Sequence, residues 1–283
     1  MNVSSFFDTI NLKKSVMAIT YYMLQISPVL LFILMTTSVG ILAGVSTFLF
    51  RKYMNIRVLR SHNEVTGFLF LAIASFYALL LSFIVLGVWG SVDESRGNVS
   101  KEGSSAMGLY RDIKFYPDTL ESKKLMNIYL DFVYNVVDDE FPKMEHMQLS
   151  RRTPESFDRV FYKMEHLNPK NPYQIQLVAE MFNHLNELAT YRELRNTSME
   201  SEISAPLWLP LLFGGIITIV CAMLLDIEHS RMHIGLNSLL GIFIGMFLFI
   251  IILLDHPYAG SLGIKPKSYM EIFTLEQWSN EIK

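Results

Sequence analysis

From Val65 to Gly90 the chain runs about 26 residues without a charge, and that run limits what the rest can be. Wound as an α-helix at about 1.5 Å per residue it reaches roughly 39 Å, enough to cross a hydrocarbon core of about 30 Å with some tilt or overhang. His62, Asn63 and Glu64 stand at its head, and Trp89 at its foot is of the kind enriched at membrane interfaces. Polarity returns after Trp89, yet 91–107 holds no proline, so the same helix can continue out of the bilayer. One element therefore joins a membrane part to a solvent part.

Three more apolar stretches have spanning length. The first covers 21–50, with Pro28 near its start and Gly40 and Gly44 at the small-xxx-small spacing that lets helices approach closely. The others cover about 205–225 and 234–254, joined by a connection so short that they form a tight hairpin. The expected fold is all-α: a multi-pass membrane protein with four transmembrane helices and a helical extramembrane domain inserted between the second and third. Its layout is an amphipathic segment (1–20), a first transmembrane hairpin (21–90), the helical domain (91–204), a second hairpin (205–254) and a tail with a short helix (255–283).

Four spans put both short loops on one membrane face, and both termini with the insert on the other. His62, Asn63, Glu64, Glu228, His229, Arg231 and His233 then gather at one face, with Trp89, Trp208, Asp255 and His256 opposite. Arg51, Lys52, Arg57 and Arg60 crowd the first loop, which by the positive-inside rule places the short loops in the cytoplasm and the insert outside a plasma or inner membrane.

The insert reads as helices throughout. Asp118 with Glu121 fits a capping box, Thr153-Pro154 a helix start, and Asn171-Pro172 with Gln174 an N-cap, N1 proline and N3 acceptor. Apolar residues recur at three and four residue spacing behind each start: Leu125, Ile128 and Phe132; Phe157, Val160 and Met164; Val178, Met181 and Leu185. In the tail, Thr274 and Gln277 suit the cap of a short last helix.

A net charge of -3 and no Arg-rich aromatic patch argue against a nucleic-acid partner. The single cysteine, Cys221, leaves no intrachain disulfide and no cysteine-based zinc site. His229 and His233 stand four apart but lack a metalloprotease frame, so the polar ring reads as helix caps and interfacial anchors, with Asn63 capping the second span. Asp255 and His256 end an apolar run as either a structural cap or part of an ion path. Asp138, Asp139 and Glu140 read as a solvated helix edge, and Arg192 and Arg195 as partners of acids one turn earlier. No phosphate loop or nucleophile elbow is present; no enzyme activity, metal or cofactor is expected.

The stretches His62-Asn63-Glu64-Val65-Thr66-Gly67-Phe68-Leu69-Phe70, Asp139-Glu140-Phe141-Pro142, Asn186-Glu187-Leu188-Ala189 with Arg192, Pro206-Leu207-Trp208, Glu228-His229-Ser230-Arg231-Met232-His233 and Leu254-Asp255-His256-Pro257-Tyr258-Ala259-Gly260 resemble, in order and spacing, the bestrophin-like membrane family. Bestrophins are pentameric anion channels with four spans per subunit, the second lining a hydrophobic neck on the five-fold axis. The resemblance implies a homo-oligomeric channel for small inorganic ions, anions by analogy, with Phe76, Leu80, Phe83 and Ile84 at a constriction that gates by dewetting. Arg192 and Arg195 become the first candidates for basic vestibule positions. It also implies a cytosolic insert, against the loop charge, and the acidic calcium clasp of animal bestrophins has no equivalent run here. The rival reading is a non-conducting membrane scaffold or sensor whose insert binds a protein. The partners expected are thus the lipid bilayer, further copies of the chain and small ions.

Overall fold

The computed structural model describes residues 22–53, 62–117, 119–199, 203 and 205–281. In chain order the elements are α1 (Pro28–Tyr53), α2 (Asn63–Phe115), α3 (Thr119–Asn135), a π-helical turn (Val136–Glu140), α4 (Phe141–Glu145), α5 (Arg152–Glu165), α6 (Pro172–Met199), α7 (Ala205–Met223), α8 (Ser230–Asp255) and α9 (Lys267–Glu281). No strand occurs among the described residues, as the all-α expectation requires. Four helices are long and apolar enough to cross a membrane: α1, α2, α8 and Pro206–Met223 of α7. The expected amphipathic segment 1–20, Arg57 and Arg60 of the first loop, and Asp118 of the capping box lie outside the described residues.

The chain divides into two compact units, one from Met1–Gly90 and Glu202–His256, the other from Ser91–Ser201 and Pro257–Lys283. In the first, α1 and α8 pack along a seam of small residues. A Cβ on Gly241 would stand 2.7 Å from the Val39 carbonyl oxygen, and one on Gly245 2.9 Å from that of Met35. On α1 a Cβ on Gly40 would meet Ile242 at 2.6 Å. The helices approach this closely because these positions carry no side chain. Asn237 adds a hydrogen bond from Nδ2 to Thr47 Oγ1 at 2.6 Å. α2 joins through Tyr77, whose ring occupies the space a Cβ on Gly214 would fill and whose hydroxyl donates to the Leu211 carbonyl at 3.1 Å. Most other hydroxyls bond their own helix four residues back, as Thr37 does to Ile33, Ser46 to Leu42, Ser75 to Leu71 and Ser82 to Ala78. Such bonds leave the outer faces apolar.

The second unit has a core of large side chains. Leu109 and Ile113 of α2, Tyr129, Phe132 and Val133 of α3, Leu185 and Leu188 of α6, and Tyr269 and Ile272 of α9 are all buried in one cluster. α6 starts as its sequence predicts: the Gln174 N–H donates to Asn171 Oδ1 at 2.9 Å, and the Lys170 N–H to Gln174 Oε1 at 2.6 Å. α5 starts at Arg152, one residue before Thr153; Ser150 Oγ accepts from the N–H groups of Arg152 and Thr153, both at 3.2 Å, and itself donates to Asp139. α2 continues beyond the apolar run, through 91–107 as expected, and ends at Phe115. α9 begins at Lys267, so Thr274 lies inside it, its hydroxyl turned back to the Met270 carbonyl, and does not cap it.

Candidate functional site

The uncharged part of α2 has two faces. Tyr77, Leu81, Ile84 and Val88 are buried, at the i, i+4, i+7 and i+11 spacing of one helical stripe. Phe76 is 75% exposed and Phe83 63%, seven residues apart on a second stripe that also carries Leu79 and Leu86. The four residues expected at a constriction are therefore divided. Phe76 and Phe83 project away from the subunit, Leu80 is half-buried against the apolar cluster, and Ile84, 7% exposed, belongs to that cluster. Because Ile84 is one residue past Phe83, it lies about 100° round the helix, enough to turn it inward.

At one end of the first unit, polar residues of α1, α2 and α8 meet the turn between α7 and α8. Asn63 holds the backbone of Asp226 twice, accepting from its N–H at 2.9 Å and donating to its carbonyl at 3.3 Å. The buried His233 ring lies 2.9 Å by Nδ1 from Arg51 Nη1 and 3.0 Å by Nε2 from the Ala222 carbonyl. A carbonyl only accepts, so the ring hydrogen belongs on Nε2 and Nδ1 accepts from the guanidinium. Arg51 Nη1 also reaches the Ile227 carbonyl at 2.8 Å. Asn63 thus ties the turn between α7 and α8 to the head of α2, a bond across the fold where a helix cap was expected. His62, Glu64, Glu228, His229 and Arg231 are exposed. Among the described residues no three His, Cys, Asp or Glu side chains converge to hold a metal ion.

Asp255 and His256 are both buried at the end of α8. Asp255 Oδ1 accepts the Ile203 N–H at 2.6 Å, capping the approach to α7, and Oδ2 lies 3.5 Å from His256 Nδ1. His256 is 5% exposed, neither ring nitrogen has a hydrogen-bond partner among the described residues, and burial pushes its pKa down to about 4.

In the second unit Arg195 is 0% exposed. Its Nε and Nη2 meet Glu102 at 2.7 and 3.1 Å, and Nη2 also meets Glu140 at 3.1 Å. Arg192 pairs with Glu140 at 2.9 Å, and Tyr269 donates its hydroxyl to Glu102 at 2.8 Å. The Arg195 guanidinium lies over the Phe141 ring at 4.8 Å. Burial works against the Arg195 charge, but Glu102 and Glu140 outweigh it and hold its pKa above the ordinary value. Two acids and two bases balance, so the cluster is a neutral tie. Both arginines were expected to pair with acids one turn back on α6 or to line a vestibule. Their partners come instead from α2 and the π turn, and the pairing spends Arg195 inside the unit. Glu140 was placed on a solvated edge; the π turn adds a residue to the helical winding there, and Glu140 is buried. Glu102 went unnoticed, although it stands between Val99 and Ala106 on a stripe that is otherwise apolar and buried.

A family model for the bestrophin-like domain matches residues 37–269. The chain belongs to the bestrophin-like family. Variant crystal structures of a bacterial bestrophin homologue from Klebsiella pneumoniae share its fold: two at TM-scores 0.59 and 0.60 and 13% identity, each over 89% of this chain and 97% and 98% of theirs. A third reaches 0.57, at 13% identity, over 89% of this chain and 100% of its own. No curated protein matches the sequence. Family membership and four helices of spanning length make the chain an integral membrane protein with a bestrophin fold.

Proposed function

We propose that this bestrophin-like protein is a homo-oligomeric, pentamer-forming ion channel that passes anions, with the first part of α2 lining the pore. In this reading 91–204 is an extramembrane domain inserted between the second and third spans, and loop charge assigns it to the outside. The observation that carries the proposal is the exposed Phe76 and Phe83 stripe. An aromatic row facing away from the subunit, on the helix that lines the axis in bestrophins, forms a hydrophobic constriction when copies surround an axis. Arg192 and Arg195 are then structural, and Asn63 and His233 hold the helix ends in place.

The test is chloride flux into liposomes carrying the purified protein. Phe76→Ala and Phe83→Ala widen the constriction and raise flux, while Phe213→Ala, on an exposed face of α7, leaves it unchanged. Unchanged flux in both α2 variants, with the protein inserted, contradicts the proposal. A native protein and variants that all fail to conduct favour a non-conducting scaffold or sensor.

A further inference from the structure

Two buried hydroxyls of the second unit have no hydrogen-bond partner among the described residues. Ser95 of α2 is 1% exposed, and Tyr258, in the connection between α8 and α9, is 2% exposed. They lie in one place. Burial pushes the Tyr258 phenol up to about 12, while Ser95 and the Arg195 guanidinium close to it favour its ionised form and Glu102 opposes it. Ser95, Asn98 and Glu102 are buried at i, i+3 and i+7 on one stripe of α2, so the stripe runs from Ser95 to the ionic cluster within two turns. The backbone around Tyr258 is fixed as well. The Ile264 N–H donates to the Pro257 carbonyl at 2.9 Å, and the Gly260 N–H to the Glu145 carbonyl at 3.1 Å.

A hydroxyl shut away from solvent is costly unless it meets a partner, and in native interiors that partner is protein or an ordered water. The charge of the neighbourhood decides which guest fits. Arg192 and Arg195 are balanced there by Glu102 and Glu140, so an ion would enter without a counter-charge. A neutral guest that both donates and accepts satisfies two hydroxyls, each of which can do either. We infer that one water molecule is bound between Ser95 Oγ and the Tyr258 hydroxyl, joining the connection that leads into α9 to α2 beside the Arg195–Glu102 pair.

The experiment is a crystal structure of the full chain at a resolution that shows ordered waters, from crystals grown in bromide so that a bound halide scatters anomalously. The expected result is a peak about 2.5–3.0 Å from both oxygens, with no anomalous signal. Ser95→Ala and Tyr258→Phe each remove one hydroxyl and keep the packing, and in the double variant the peak is lost. A direct hydrogen bond between Ser95 and Tyr258, with no peak between them, overturns the inference. So does an anomalous peak, which gives the site to an anion, or a peak that survives in the double variant, which gives the water to other groups. None of these outcomes depends on ion conduction, so the result stands apart from that of the channel proposal.

Discussion

The two units of this chain solve the burial of polar groups in opposite ways. In the first, hydroxyls such as those of Thr37, Ser46 and Ser82 return to their own helix, and helices approach through Gly40, Gly241 and Gly245. In the second, charged side chains are carried into the core and neutralised there, Arg195 against Glu102 and Glu140. The proposed placement of the first unit in the bilayer and the second outside it accounts for the difference. A bilayer core offers no hydrogen bonds and as much apolar surface as a protein interior, so small residues and local bonds determine packing. In water a core of Tyr129, Phe132 and Leu188 supplies the driving force, and a paired ionic cluster adds to its specificity at little net gain.

The largest expected effect strikes the ionic cluster. Arg195→Met strands Glu102 in the core and costs about 3–5 kcal/mol, read as a fall in the thermal midpoint of the full chain. The double change with Glu102→Leu costs less than the single one, because it leaves no unpaired charge. A double variant as unstable as the single would break the comparison.

Next is His256. Its folded-state pKa of about 4 lies below the ordinary 6.5, so the unfolded chain takes up a proton first as pH falls. The stability it contributes is complete above pH 6.5 and is lost between pH 6.5 and 4, by about 3 kcal/mol in all. Unfolding midpoints across that window show the slope, and His256→Phe flattens it. An equal slope in both proteins would assign the dependence to other groups.

Gly241→Leu forces a side chain against the α1 backbone and costs about 1–3 kcal/mol, whereas Gly87→Leu, where a Cβ has open space around it, leaves the thermal midpoint unmoved. The smallest change is Thr37→Val. That hydroxyl returns only to carbonyls of its own helix, Ile33 and Leu34, so its loss shifts stability by about 0.6 kcal/mol or less. A larger shift would mean that the hydroxyl has a partner outside its own helix.

The same contrast explains what could be read from the sequence. Apolar periodicity located the helices of the second unit, and Asn171 with Gln174 marked the start of α6, because water makes burial the signal. In the first unit both faces of α2 are apolar, so hydropathy alone could not separate Phe83 from Ile84. The glycines at 214 and 215, which receive Tyr77, are informative only once the helices are paired. Arg195 and Glu102 lie 93 residues apart, and the π turn that brings Glu140 inward leaves no trace in the pattern of charges. A lone acid on an apolar stripe, as Glu102 is between Val99 and Ala106, was the available sign. The pairing of Arg51 with His233 spans 182 residues and had no such sign.

The most direct test of the α2-lined pore is the number of subunits in the purified protein, measured by native mass spectrometry in mild detergent and in lipid nanodiscs. The expected result is a closed ring of about five copies, which sets Phe76 and Phe83 around an axis. A monomer or dimer that persists in both media contradicts it, because no axis then exists for the exposed stripe of α2 to line.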